Sequence, residues 1–223
     1  MDRFSCQMSD SAAAEWTLWG VFVMRIATVS LVLACVLAAP SPAAAQRPTA
    51  TEVLLSHRAA VVQMLTEAAG RPDDERHSAR DAAHDMAELM DFDAVARRAL
   101  GQHWDARTPE ERRRVATLLR ARFERNYARW CIRSVDYEIV SSTEAPTADG
   151  VDVTLVWRDP RARGQPGRRV VYGFHAVDGR WQLVDTVVEG SSLVGRLALR
   201  VAEITERDGW DGLLTWLEGP SAQ

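Results

Sequence analysis

The chain of 223 residues and 24.8 kDa is 47% hydrophobic and 26% charged, which excludes a disordered or fibrous class and leaves room for one sizeable domain or two small ones. Its formal charge of -4 and pI near 5.8 give no bulk reason to expect nucleic acid as a partner. All 27 basic positions are Arg and none is Lys, which reads as a bias of the coding genome, although Arg grips phosphate in a bidentate way that Lys cannot.

The chain opens with what reads as a processing signal. From Met24 the sequence is MRIATVSLVLACVLAAPSPAAAQ: Arg25 supplies a positive start, Ile26 to Ala39 an apolar run, and Ala43-Ala44-Ala45 a small-residue cleavage site before Gln46. Residues 24–45 therefore read as a secretory signal peptide, and Met1 to Val23 as an over-extended start, since Glu15, Trp16 and Trp19 would otherwise precede the export signal. An uncleaved anchor from Trp16 to Ala39 and a lipoprotein box at Val32 to Cys35 are the competing readings; the Ala-rich site directly behind the run favours cleavage. Cleavage would remove Cys6 and Cys35 and leave Cys131 without an internal disulfide partner, so the fold must rest on its core.

Residues 46–223 read as a single α+β domain, since no repeat or low-complexity linker interrupts them. Thr51 to Ala69 carries Leu54, Leu55, Val61, Val62 and Leu65 at helical spacing and stops at Gly70-Arg71-Pro72. Asp73 to Met90 continues as a weaker helix. Asp91 caps a short one that Gly101 ends. Thr108-Pro109-Glu110-Glu111 is a helix start with cap, first-position Pro and third-position Glu, and the helix should run to about Trp130. The period then switches to two. Val135 to Ile139, Val151 to Arg158, Arg169 to Val177 and Arg180 to Val188 predict four antiparallel strands, the last two joined by Asp178-Gly179. Ser191 or Ser192 caps a helix to about Arg207, and Asp211 starts a last one ending near Glu218. The expectation is helices packed on one face of a curved, mainly antiparallel four-stranded sheet.

Catalytic signatures are sparse. Gly190 to Gly195 has the look of a nucleophile elbow, but Val194 stands where the second Gly belongs and no His follows. His77, Asp81, His84, Asp85 and Glu88 share a helix face with possible metal-ligand spacing, yet neither HExxH nor a close His pair is present, so a solvated face with i,i+4 pairs is the simpler reading. Arg161, Arg163, Arg168 and Arg169 crowd a Gly/Pro loop; charge on a turn is ordinarily solvation, with contact to anionic headgroups as the alternative. Asp185 interrupts the apolar row Trp181/Leu183/Val187. It is the one candidate base for a small cone-fold isomerase or dehydratase, or else a carboxylate that fixes backbone. A structural envelope-interaction module is the third class.

Two blocks carry a resemblance. The first is Met90 to Trp104 (Met-Asp-Phe-Asp-Ala-Val-Ala-Arg-Arg-Ala-Leu-Gly-Gln-His-Trp) followed by Thr108-Pro109-Glu110-Glu111, with Phe123 and Tyr127 beyond. The second is Tyr172, Gly179-Arg180-Trp181, Asp185 and Glu189-Gly190 leading to Ser192-Leu193-Val194. In this order, behind a signal peptide, they resemble the MlaC family of periplasmic phospholipid carriers over roughly residues 50–219. The chain departs from that pattern after Ser-Leu-Val, where the family's Asn-Tyr-Arg-x-x-Phe run is replaced by Arg196, Leu197, Ala198 and Val201. A hopanoid-associated branch is one home for such a variant.

The resemblance implies a periplasmic, monomeric, non-enzymatic carrier with no cofactor, no metal and no nucleic-acid partner. Its cargo would be a phospholipid or related lipid, exchanged with an inner-membrane ABC-type transporter complex and an outer-membrane lipoprotein complex. It also implies an apolar cavity between sheet and helices. The rows Val153, Leu155, Trp157 and Trp181, Leu183, Val187, with Tyr172, would face Leu118, Leu119 and Phe123 across it. The same residues could equally fill a packed core.

Overall fold

Side-chain caps set most of the helix starts. The computed structural model describes residues 47–162 and 164–219; the expected signal peptide and the residues before it, with Cys6 and Cys35, lie outside the described residues, as does Arg163. Helix α1 (Ala50–Ala68) begins with a full capping box, in which Glu52 N–H donates to Thr49 Oγ at 3.1 Å and Thr49 N–H to the Glu52 carboxylate at 2.8 Å. Helix α2 (Pro72–Glu88) starts on Pro and buries a face of small residues, Ala79, Ala82, Ala83 and Ala87, which lets it approach its neighbours closely. Asp91 caps α3 (Phe92–Leu100) by accepting from Ala94 N–H at 2.8 Å, and Gly101, at φ +50°, ends it. Thr108 and Glu111 repeat the capping box at the head of α4 (Pro109–Ser134).

Helix α4 runs a turn beyond the expected end near Trp130, and the strand expected from Val135 begins instead at Glu138. Arg58 of α1 supplies the reason: its Nη2 donates to the carbonyls of Ser134, Val135 and Tyr137 at 2.9, 2.9 and 3.2 Å. Carbonyls that a helix end normally leaves without partners are thereby satisfied, and the helix persists.

The strands β1 (Glu138–Pro146), β2 (Val151–Arg158), β3 (Arg168–Val177) and β4 (Arg180–Val188) form an antiparallel meander in that order. A fifth, β5 (Ser191–Ser192), pairs with the end of β4, so the sheet has five strands rather than four. The α+β class is the expected one. Asp178 and Gly179 both take positive φ, 48° and 77°, as a tight two-residue hairpin requires. Two irregularities reset the alternation. Ile139 pairs with Trp157 while Ser141 pairs with Val156, which leaves Val140 as an extra residue. On β4, Leu183 pairs with Phe174 and Asp185 with Gly173, which leaves Val184 bulged.

Helix α5 (Leu193–Glu218) is capped by Ser192, whose Oγ accepts from Gly195 N–H at 2.7 Å. It is the two expected helices joined across a kink at Gly209 (φ 72°, ψ -169°). Its second segment is clamped by Arg107 over Trp210 and Arg122 over Trp216, at 4.6 and 4.1 Å.

Two larger cores and a smaller one around Cys131 divide the interior. One lies among α3, α4 and α5, around Leu100, Val115, Ile204, Leu213 and Leu217. The other lies between the sheet and α1, around Leu54, Val153, Leu155, Phe174 and Leu183. Met90 packs against both. Cys131 is buried against Val61, Ala79 and Ala82, and burial pushes its thiol up, away from the reactive range. Among the described residues, no helix is long and apolar enough to cross a membrane.

Candidate ligand cavity

Where the two cores meet they do not close. A cavity of about 550 Å³ opens between the inner face of the sheet and all five helices, a size typical of small-molecule sites. Its wall is built element by element: Leu54 and Arg58 from α1, Met86 from α2, Phe92 and Val95 from α3, and Leu119, Phe123, Tyr127 and Trp130 from α4. The sheet adds Leu155, Trp157, Val170, Tyr172, Leu183, Thr186 and Val188, and α5 adds Leu193, Val194 and Leu197. Aromatic side chains spaced four and three apart on α4 join with rings from its neighbours into a ladder. Phe92 meets Phe123 at 5.8 Å, Phe123 meets Tyr127 at 5.4 Å, Tyr127 meets Trp130 at 5.4 Å, and Trp130 meets Trp157 at 6.2 Å.

Of the expected wall residues, Leu119, Phe123, Leu155, Trp157, Tyr172 and Leu183 line the cavity. Four others lie off it, each for a local reason. Leu118 packs into the helical core. Val153 is fully buried within the sheet-side core. Trp181 is held at the start of α1, its indole N–H donating to the Pro48 carbonyl at 3.0 Å. Val187 is turned away by the bulge at Val184: after the extra residue, Thr186 and Val188 pair with the inward Tyr172 and Val170, and Val187 pairs with Val171 on the opposite face.

The bulge also explains Asp185. Its carboxylate accepts from Thr186 N–H at 2.7 Å, Val194 N–H at 3.1 Å and the Ser192 hydroxyl at 2.5 Å. Gly195 N–H, Ser192 Oγ and Asp185 thus form one chain of hydrogen bonds that fastens the head of α5 to β4. A carboxylate committed to three donors is a clasp, and among the described residues its hydrogen-bond partners are these structural donors alone.

Arg58 was legible only as a charge breaking the apolar row Leu54, Val61, Leu65 on α1. It is 7% exposed, and its guanidinium carbon stands 5.2 Å from the centroid of the Trp157 ring. Burial holds the Arg58 guanidinium below its ordinary value. Burial likewise pushes up the Tyr127 phenol and takes that of Tyr172 to about 12. The other two arginines on the wall differ: Arg168 is exposed, and Arg122 donates to the carbonyls of Trp216 and Gly219.

The polar clusters singled out in the sequence are surface features. His77 faces Asp81 at 3.5 Å and His84 faces Glu124 at 3.4 Å, all exposed or half-buried. Among the described residues no group of three or more His, Cys, Asp or Glu could hold a metal. In the β2–β3 loop, Arg161 pairs with Asp136 at 2.7 Å, and the Glu189 carboxylate accepts from Arg169 N–H at 2.8 Å.

No curated protein matches the chain significantly. Among solved structures, it is similar to a phospholipid-binding protein from Ralstonia solanacearum, determined in complex with a phospholipid. The TM-score is 0.60 at 18% identity, covering 77% of this chain and 96% of that one, which shows a shared fold. The profile of the family described as MlaC protein matches residues 57–219, most of the chain and every element of the cavity wall except the start of α1, and the chain belongs to the MlaC family.

Proposed function

We propose that the chain is a lipid carrier that takes acyl chains into this cavity and catalyses nothing. The observation that carries the reading is the cavity itself, an apolar space that neither core fills although interiors ordinarily pack without such gaps. Membership of the MlaC family and the fold shared with a phospholipid-binding protein support it. The engagement of Asp185 with three structural donors speaks against the isomerase alternative, and an interaction module would need no cavity.

The carrier works in the periplasm as a monomer, its only bound group being its cargo. It passes lipid between an outer-membrane lipoprotein complex and an inner-membrane ABC-type transporter complex. Sheltering acyl chain from water is worth about 0.8 kcal/mol per CH₂. A bilayer already shelters it, so transfer between carrier and membrane is close to balanced and the partners supply the direction. The cavity-lining Leu119, Phe123, Leu155, Trp157, Tyr172 and Leu183 hold the chains.

The test is solvent extraction and mass spectrometry of protein purified from cells without detergent. A stoichiometric lipid is the expected result. Lipid-free protein with a cooperative melt and no uptake from vesicles would overturn the reading.

A further inference from the structure

The cavity is not uniformly apolar, and its polar atoms are unequally satisfied. Nη2 of Arg58 is occupied three times over by the carbonyls at the end of α4. Nη1 of the same guanidinium is buried with no hydrogen-bond partner among the described residues. Nε1 of Trp157, the ring over which that guanidinium lies, is also buried and meets no acceptor at full hydrogen-bonding distance, with the Tyr172 hydroxyl beside it. Both side chains line the cavity and both are more than nine-tenths buried, at 7% and 5% exposure. The phenols of Tyr127 and Tyr172 stand on the same wall.

Capping α4 accounts for one nitrogen of Arg58, and a Lys ammonium with its three donors could do as much. It does not account for a full positive charge in an apolar cavity with no carboxylate paired to it. Buried charge is retained when it is paired, and orphaned buried donors are rare. The missing element is a negatively charged oxygen, and the cavity that both groups line is the open space beside them to receive it. Of the three arginines on the wall, only Arg58 is both buried and left with an unpartnered N–H.

We propose that Arg58 and Trp157, flanked by Tyr127 and Tyr172, form an oxyanion subsite inside the cavity that receives the acidic group of an amphiphilic cargo. This rests on the carrier reading and narrows it: the cargo bears a carboxylate or a phosphate, and that group seats on the wall beside Arg58 of α1. Arg58 provides charge and a donor, and Trp157 a second donor at an angle to it. A guanidinium suits either oxyacid.

The test is a set of chain-matched probes, palmitate, hexadecyl phosphate and hexadecanol, titrated into delipidated protein by calorimetry. At least one of the two acids should bind about tenfold or more tighter than the alcohol, the increment expected of a charged hydrogen bond. Preference for palmitate identifies a carboxylate cargo, and preference for hexadecyl phosphate a phosphate cargo. In Arg58→Lys, which keeps donors for the α4 carbonyls, and in Trp157→Phe, which keeps the ring, the acids should fall toward the alcohol. Hexadecanol affinity should hold in Arg58→Lys, and in Trp157→Phe it should change less than that of the acids. Equal binding of all three probes by the wild-type protein would overturn the subsite while leaving the carrier reading intact. Binding of none, with no lipid in the purified protein, would remove both. The wild-type comparison needs no variant, so a misfolded Arg58→Lys leaves the proposal open to refutation.

Discussion

The helical core and the cavity wall are both built of apolar side chains and end in opposite states. Among α3, α4 and α5 the facing residues are Leu, Ile and Val interleaved with Ala96, Ala99 and Ala116, and Leu213 and Leu217 are wholly buried. Small residues let the helices approach, and branched aliphatic ones fill what remains. Across the cavity the facing residues are Met90, Phe92, Phe123, Tyr127, Tyr172 and Trp157. The rings of Phe92, Phe123, Tyr127, Trp130 and Trp157 contact one another in a row, with centroids 5.4 to 6.2 Å apart, so they are spent on neighbours in the same wall. An internal space survives where large side chains satisfy each other sideways.

Single truncations put that contrast under load. Leu217→Ala should cost about 2–5 kcal/mol of stability, the range for a core cavity that neighbours cannot refill, read from denaturant unfolding. Phe123→Ala should cost clearly less in the lipid-free protein, because its ring already borders open space, and should instead weaken lipid uptake from vesicles. Equal losses of stability with unchanged uptake would mean that the wall is ordinary core.

Asp185 gives the next largest effect and separates a clasp from a catalyst. Asp185→Ala strands the Val194 N–H and the Ser192 hydroxyl, and a lost partner of a part-buried group costs about 1–3 kcal/mol. The melting temperature should fall, with α5 protected less against amide exchange near Val194. Asp185→Asn keeps an acceptor and should recover part of the loss while lipid uptake stays at the wild-type level. Normal stability in Asp185→Ala would detach the carboxylate from the fold and reopen a chemical role for it.

Most of the fold was legible because its signals are local: the Thr108 capping box, the Asp91 cap, the Gly101 stop, the Asp178-Gly179 turn and the alternation of β2. The misreadings sit where a distant residue overrides a local one. The end of α4 depends on Arg58, seventy-six positions away from Ser134. The face of Val187 depends on a bulge at Val184 that no turn residue announces. The Phe123, Tyr127, Trp130 row was available from helical spacing, but helical spacing alone does not tell a lined space from a filled one. Arg58 was the stronger clue, since a charge in the middle of an apolar helix stripe needs a reason.

The smallest effect is silent at neutral pH and separates the two regions by their titration. The fully buried residues of the closed helical core are apolar, whereas the wall carries the phenols of Tyr127 and Tyr172, both raised above the ordinary value of 10 by loss of solvent. A phenol with a raised folded value keeps its proton longer in the folded state than in the unfolded chain. The stability this confers is therefore complete below pH 10 and is lost as the pH climbs through the folded value, about 12 for Tyr172. Phenolate absorbance followed against pH, beside near-ultraviolet dichroism, should show ionisation of these groups together with loosening of the wall. The component missing from Tyr172→Phe should be the one nearest 12. If that component instead ionises near 10 with the dichroism unchanged, water already reaches the Tyr172 hydroxyl. The inner wall would then be open to solvent, and the contrast with the closed core would be one of depth alone.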